Sequence, residues 1–96
     1  MPIMTGIAAG EKARAKVVVY PNPSQEELYI YYHNPKQPYA ATFRIWNMQG
    51  QEIVGRNALT SGTTYILPVR DWASGVYFVQ VQDEKGNVYT EKFIKE

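Results

Sequence analysis

Apolar side chains recur at every second position in several stretches of this chain, and this spacing limits the folds that the chain can adopt. In "EELYIYYH", Leu28, Ile30 and Tyr32 form one set, and Tyr29 and Tyr31 form the alternate set. A β-strand places two such sets on opposite faces, whereas a helix needs apolar residues three and four positions apart. No apolar stripe of helical spacing and useful length occurs in the sequence. The pattern therefore predicts an all-β fold.

Turn-forming residues separate the alternating stretches. About seven stretches, from "KVVVY" to "VYTEKFIKE", follow one another at spacings of roughly 8 to 13 residues. Gly50 in "NMQGQEIV" and Gly86 in "DEKGN" stand where hairpin turns require a positive φ. We expect an immunoglobulin-like antiparallel β-sandwich of about seven strands.

The alternation also predicts which side chains fill the space between the two sheets. The strand after the Gly50 turn is expected to hold Ile53, with Val54 as a second candidate, and Trp72 is expected to cap the end of the strand that precedes it. The predicted core consists of the inward-facing residues of the alternating strands: Leu28, Ile30, Phe43, Ile45, Leu67, Val69, Tyr77, Val79 and Val81.

The composition fits one small globular domain of 96 residues. Residues 1–15 are rich in small side chains and show no clear period, so we assign them to a linker and residues 16–96 to the domain. The net charge of +1 creates no field that would attract nucleic acid. The absence of cysteine excludes disulfides and sulfur-ligated metal. The chain start is not a signal peptide as it stands, because it has neither a basic region nor a sustained apolar region.

The sequence contains few candidate catalytic residues. His33, the only histidine, stands where a strand runs into the loop "NPKQP", so a Ser/His/Asp arrangement is not expected. Asp83, Glu84 and Asn87 surround Gly86 as the tip of a hairpin, and their spacing does not match a calcium loop. We predict that the domain is not an enzyme and holds no metal or cofactor.

Aromatic residues leave two interpretations open. The chain has eight tyrosines and two tryptophans, and such rings offer a large contact area to a sugar or a protein partner. Tyr29, Tyr31, Trp46 and Phe78 are all predicted to point away from the core. They either cover a small sandwich or form a binding platform of the kind that carbohydrate-binding modules use.

The segment "VVVYPNPSQEELYI" breaks one strand and starts the next at once. Pro21 and Pro23 fix φ near −65° and lack an amide proton, and each proline keeps the residue before it, Tyr20 or Asn22, out of helical geometry. The sequence therefore predicts a stiff corner between two strands.

Four segments in order, "VVVYPNPSQEELYI", "FRIWNMQGQEI", "LPVRDWASGVYFVQV" and "EKFIKE", resemble the type A C-terminal sorting domain of Bacteroidetes proteins that use the type IX secretion system, also called the Por secretion system. The likeness covers residues 17–96 and depends on the order and spacing of the segments. The residues that match the family pattern, and that the resemblance implies are read by the secretion machinery, are Pro21, Asn22, Pro23, Gly50, Gly75, Val76, Tyr77, Lys92, Phe93, Ile94 and Lys95.

The resemblance implies a non-catalytic export signal at the end of a larger secreted protein. Such a domain directs its attached cargo from the periplasm through an outer-membrane translocon to the cell surface or beyond, and a sortase then removes it. A cut would fall upstream of the first strand, in a region that includes Thr5, Gly6, Ile7, Ala8, Ala9 and Gly10. The alternative function is an accessory β-sandwich or carbohydrate-binding module of a multidomain secreted enzyme. The identity of the cargo and the oligomeric state stay open.

The tail allows separate predictions for its apolar and its charged residues. At least one of Phe93 and Ile94 should pack on the sandwich, because both are large and apolar. Lys92 and Lys95 are expected to keep their ammonium groups in water and thus to be available to a partner. In "ASGVY", Gly75 is expected to permit the turn that delivers Tyr77 to the core.

Overall fold

The structure is a computed structural model that describes residues 15–36 and 39–96, and it confirms the all-β fold. Seven strands and no helix occur in these two ranges. The strands are β1 (Lys16–Tyr20), β2 (Glu27–His33), β3 (Ala40–Asn47), β4 (Glu52–Thr60), β5 (Thr63–Pro68), β6 (Gly75–Asp83) and β7 (Val88–Lys95).

The strands form two sheets that enclose one core, as predicted for an immunoglobulin-like sandwich. One sheet has three strands in the order β1-β2-β5, and the other has four in the order β4-β3-β6-β7. Every pair of neighbouring strands is antiparallel. The edge strands are therefore β1 and β5 in the smaller sheet and β4 and β7 in the larger one.

The core contains eight of the nine residues that the alternation predicts. Only Leu67 is half-buried rather than buried, because it lies on the edge strand β5. The predicted core list lacked four contributors. Tyr32 shares a face with Leu28 and Ile30, and Phe93 was expected only as one of two tail candidates, whereas Ala41 and Leu59 were not predicted. The full set of buried apolar residues is Leu28, Ile30, Tyr32, Ala41, Phe43, Ile45, Leu59, Val69, Tyr77, Val79, Val81 and Phe93.

Strand β4 departs from simple alternation. Its register against β3 shifts on both sides of Ile45, as at a β-bulge. Ile53 belongs to this strand, as predicted, but is 38% exposed, and Leu59 near the other end is the buried residue. The irregular register changes which side chains of β4 face the core.

The two ends of the sandwich differ in their contents. At the end that we call the corner end, β1, β3, β5 and β7 finish and β2, β4 and β6 begin. The parallel bridge between Ser24 and Lys95 joins the two sheets there. Lys16, the first residue of β1, pairs with His33 at the opposite end. The chain therefore enters the domain at one end, and the corner lies at the other.

A hairpin at the opposite end is held by Asp83. Its carboxylate accepts hydrogen bonds from the backbone N–H groups of Lys85 and Asn87 and from the side-chain amide of Asn87, each at 2.9 Å. Burial raises the pKa of Asp83, but the bonds from Asn87 and Lys85 outweigh burial, so the pKa lies below its usual value. The carboxylate is thus part of the turn, in line with the predicted hairpin tip.

Truncation of a buried aliphatic residue should cost far more stability than truncation of an exposed one in the same sheet. We expect Ile30→Ala to lower the free energy of unfolding by about 2–5 kcal/mol, because Ile30 is fully buried and its loss leaves a cavity. Ile66→Ala is the matched control, since Ile66 is 56% exposed and should change stability by no more than about 0.5 kcal/mol. Equal losses in urea unfolding would contradict the placement of the core.

Candidate functional site

The structure brings together at the corner end all the residues that match the family pattern. Pro21, Asn22 and Pro23 follow β1, and Gly50 lies in the β3–β4 turn. Gly75, which begins β6, pairs with Lys95 at the end of β7. Four segments that are far apart in the sequence thus form one end of the sandwich. We call residues 21–24 the corner and residues 92–96 the tail.

Ser24 attaches the corner to the tail as a short parallel strand. Its backbone N–H donates to the carbonyl of Ile94 at 2.8 Å, and its carbonyl accepts from the N–H of Glu96 at 2.8 Å. These two bonds flank Lys95, as in a parallel ladder. The hydroxyl of Ser24 donates to the carbonyl of Pro21 at 2.6 Å, and the residue is fully buried. Ser24 therefore fixes both the turn and its contact with β7.

Asn22 continues this ladder with its side chain. Its Oδ1 accepts the N–H of Ile94 at 2.9 Å, and its Nδ2 lies 3.5 Å from the carbonyl oxygen of Lys92. These are the two bonds that a backbone peptide would make at the next step of a parallel ladder. The carboxamide of asparagine has one acceptor and a donor in the same plane, so it can replace a peptide group.

The prolines limit the backbone donors of the corner. Proline has no N–H group, so residues 21–23 contain a single backbone donor. Both X–Pro bonds, Tyr20–Pro21 and Asn22–Pro23, are cis. With its backbone held between two rings, Asn22 reaches the edge of β7 through its carboxamide. The corner thereby covers backbone groups of β7 that would otherwise face solvent.

The tail confirms one prediction about its side chains and corrects another. Phe93 is fully buried, so one of the two apolar residues does pack on the sandwich, while Ile94 is 44% exposed. Lys92 is exposed, as expected. The prediction that Lys95 keeps its ammonium group in water was wrong. Lys95 is only 6% exposed and its Nζ donates to the carbonyl of Glu96 at 2.8 Å, because it lies on the same side of β7 as Phe93.

An aromatic cluster supports the tail from within. The ring of Phe93 stacks on that of Tyr77 with centroids 5.3 Å apart, and Trp72 packs against both rings. The hydroxyl of Tyr77 donates to the carbonyl of Ala73 at 2.6 Å, which ties the β5–β6 connection to β6. Trp72 therefore does not only cap the end of β5, as predicted, but also links the β5–β6 connection to the tail.

The glycines of the site are used for their backbone conformations. Gly50 has φ +82° in the β3–β4 turn, as the sequence predicts, and its N–H donates to the carbonyl of Asn47 at 3.1 Å. Gly75 has φ +151° where β6 begins. A Cβ atom on Gly75 would meet no heavy atom within 4 Å, so a side chain there would be opposed by backbone strain alone.

An acidic groove runs beside the corner. Two prolines, Tyr29 and three glutamates contribute to its lining, namely Pro21, Pro23, Tyr29, Glu26, Glu27 and Glu96. The hydroxyl of Tyr29 donates to Oε1 of Glu27 at 3.0 Å, and this bond raises the pKa of Tyr29. The corner end thus presents carboxylates on one side and the exposed Lys92 on the tail.

The four outward-facing aromatic residues do not form one platform. Tyr29 and Tyr31 belong to β2 in the smaller sheet, whereas Trp46 and Phe78 are paired neighbours in the larger sheet. They therefore lie on the two opposite outer faces of the sandwich, and all four are half-buried. A sugar-binding face made of all four residues is excluded.

Other sequence-predicted sites lie elsewhere or outside the described ranges. The expected cleavage region, Thr5 to Gly10, falls outside residues 15–36 and 39–96. His33 is exposed at the opposite end, where its ring stacks on Tyr31 at 6.5 Å. Within the described ranges, no group of three His, Cys, Asp or Glu side chains is arranged to hold a metal ion. The same residues contain no helix of the length and apolarity that a membrane span requires.

Comparisons with known proteins give a family and a fold. A family model described as "Secretion system C-terminal sorting domain" matches residues 18–96. A DUF3244 family protein with an immunoglobulin-like β-sandwich fold, from Bacteroides vulgatus, is similar in structure with a TM-score of 0.64, 17% identity and 83% of each chain covered. At this identity the likeness supports the fold alone. No curated protein matches the chain.

The Asn22 ladder makes a prediction about a single amide. We expect Asn22→Ala to destabilise the domain by about 0.5–1.5 kcal/mol and to speed hydrogen exchange of the Ile94 N–H, because that group loses its acceptor. Asn22→Asp should have the smaller effect on this amide, since it keeps an acceptor oxygen. Asn57→Ala is the control, because the side chain of Asn57 donates to nearby Gly55 within the edge strand β4 and makes no contact with the tail. Unchanged exchange at Ile94 in Asn22→Ala would contradict the ladder.

Gly75 makes a second prediction. We expect Gly75→Val to lower the melting temperature, with a cost of about 1–3 kcal/mol, because valine is strained at φ +151°. Ser74→Val, at the neighbouring exposed position, is the control for the added apolar surface. If both variants melt at the wild-type temperature, the conformation of Gly75 does not limit stability.

Proposed function

The chain belongs to the family of secretion system C-terminal sorting domains, and from this we propose that it carries an attached cargo protein through the type IX secretion system across the outer membrane. The family makes the chain a sorting signal whose cargo goes to the cell surface or the extracellular space. We propose further that the signal is non-catalytic and that the machinery reads the folded corner end rather than the linear tail.

One observation carries this proposal: the corner and the tail are bound to each other. Asn22 and Ser24 make four hydrogen bonds or close polar contacts to backbone groups of residues 92–96. A receptor that contacts the tail therefore meets the proline corner in the same place. Because Lys95 is buried, the positive charge that the tail offers to a receptor is that of Lys92.

The position of the chain entry agrees with this proposal. Lys16 lies at the end opposite the corner, so the described part of the chain begins away from the surface that we propose is read. A translocon can then engage the corner end while the cargo is still attached. We propose transit through the periplasm for this step, followed by removal of the domain by a sortase in the Thr5 to Gly10 region, because a protease needs unprotected backbone and the sequence of this segment has no apolar pattern.

The test uses a reporter fused upstream of the 96-residue chain in a Bacteroidetes host. We expect Lys92→Gln to reduce the reporter on the cell surface and in the medium several-fold, with an unchanged melting temperature, because the substitution removes an exposed charge. Lys85→Gln, at the exposed hairpin of the opposite end, should export normally. Lys95→Gln should lower both export and melting temperature, because its side chain is buried.

Two outcomes would change this conclusion. Normal export by Lys92→Gln would show that the positive charge of Lys92 is not part of the recognition surface. Failure of the wild-type chain to export the reporter, together with retention on a polysaccharide column, would favour the alternative of an accessory carbohydrate-binding module.

A further inference from the structure

A small pocket opens at the corner end, between the β3–β4 turn and the connection from β5 to β6. Its lining includes Met48 from the turn, Ser74 and Gly75 from the connection, and Val76 and Tyr77 from the start of β6. We call it the turn pocket. Its volume is about 150 Å³. Three of these residues, Gly75, Val76 and Tyr77, match the family pattern, so the pocket is built in part from the sorting motif.

Hydrogen bonds hold both walls of the turn pocket in place. On one side, Oδ1 of Asn47 accepts from the backbone N–H groups of Gln49 and Gln51 at 3.0 and 2.9 Å. On the other side, the hydroxyl of Tyr77 donates to the carbonyl of Ala73 at 2.6 Å. The pocket is therefore formed before any ligand arrives, as binding pockets usually are.

The space beside Gly75 is open. A Cβ atom on this residue would meet no heavy atom within 4 Å, so no described residue fills that space. Met48, in the facing turn, is 65% exposed. Methionine side chains are flexible and adapt their shape to apolar ligands, which makes them frequent at binding surfaces. An open pocket beside an exposed methionine is thus suited to an apolar group.

The size of the turn pocket limits what can occupy it. Pockets for small molecules and cofactors have volumes of about 300–1,000 Å³. The turn pocket has about half of the lower value and therefore fits a single side chain better than a whole cofactor. With Met48, Ala73 and Val76 in its lining, an aliphatic side chain is favoured, because its burial removes apolar surface from water.

The neighbouring tail determines the charge of the occupant. On the outer face of the larger sheet, Val76 pairs with Ile94, which is 44% exposed, and the exposed Lys92 follows on that face of β7. From the strand spacing and rise, Lys92 is roughly 8 Å from Val76, a distance that an extended chain covers in two or three residues. The carboxylate of Glu96 lies beside the corner, where Gln25 donates to it at 2.7 Å.

We propose that the turn pocket binds one aliphatic side chain of an extended receptor segment, which also carries a carboxylate two or three residues away for Lys92. This inference rests on the proposed export function, because it names the chemistry of a receptor for the corner end. The aliphatic side chain fills the pocket, and the carboxylate pairs with the exposed ammonium group. A segment that is only apolar or only acidic would satisfy half of the surface.

The first test uses the purified 96-residue chain and two capped tripeptides, acetyl-Leu-Gly-Asp-amide and acetyl-Asp-Gly-Leu-amide, which cover both chain directions. We expect one of them to shift the NMR signals of the Met48 methyl group and the Gly75 N–H in a saturable manner. Glycine in place of the peptide leucine should weaken binding about tenfold or more, because the buried apolar group is lost. Ser74→Trp, which fills the pocket from its wall, should do the same.

Two results of this titration would overturn the proposal. One is the absence of these shifts with both tripeptides at millimolar concentration. The other is equal binding of the leucine peptide and its glycine counterpart.

The second test uses the export reporter. We expect Met48→Ala and Ser74→Trp to reduce the exported reporter several-fold with an unchanged melting temperature, because both positions are exposed. Thr63→Trp, at an exposed position of the opposite end, and Ile66→Ala, on the smaller sheet, are the matched controls and should export normally.

The reporter separates failure of this inference from failure of the export function. If the wild-type chain and both pocket variants export equally well, the pocket proposal is wrong and the export function stands. If the wild-type chain does not export the reporter, the export function is wrong, and the peptide titration decides whether the pocket binds an aliphatic side chain.

Discussion

The bond between the Asn22 carboxamide and the backbone of Ile94 is the contact on which the corner end depends. It joins residues that are 72 positions apart. Together with the Ser24 bridge, it connects the corner, which follows β1 in one sheet, to β7 in the other sheet. Without this bond, the backbone N–H of Ile94 would be unpaired at the edge of β7, and Asn22 would no longer hold the corner against that strand. Here the carboxamide of Asn22 takes the place of a peptide group, and the prolines on either side of Asn22 have no backbone N–H to donate.

The alternation was sufficient to predict the fold class and most of the core. Leu28, Ile30, Phe43 and Val79 face inward because strand geometry leaves them no other face. It failed for Leu59, because the shifted register of β4 changes the side on which residues fall and a bulge leaves no clear mark in a single sequence. Phe93 was predicted only as one of two candidates, because the prediction rested on the size and apolar character that it shares with Ile94.

The sequence motifs list the residues of the candidate site but do not predict their contacts. The motif residues could be listed from their order, yet nothing in the sequence pairs Asn22 with Ile94, because that pairing depends on how the two sheets are stacked. Lys95 shows the limit most clearly. Its spacing from Phe93 predicts that the side chain faces the core, whereas its charge predicts that the side chain is exposed to water. Ser24 pairs with Lys95, and the Lys95 side chain is buried. Ser24 itself gave only the signal of an ordinary turn residue.

The bridge from Ser24 to Lys95 also has a consequence for how the protein is made. Ribosomes deliver a chain in order, so the corner is synthesised long before the β7 residues that hold it. A nascent or prematurely terminated product that stops short of residue 92 has no partner for Asn22 or Ser24 and cannot complete the corner end. Formation of this end therefore requires that synthesis has reached the tail, and a receptor for the corner end would distinguish chains that include the tail from shorter fragments.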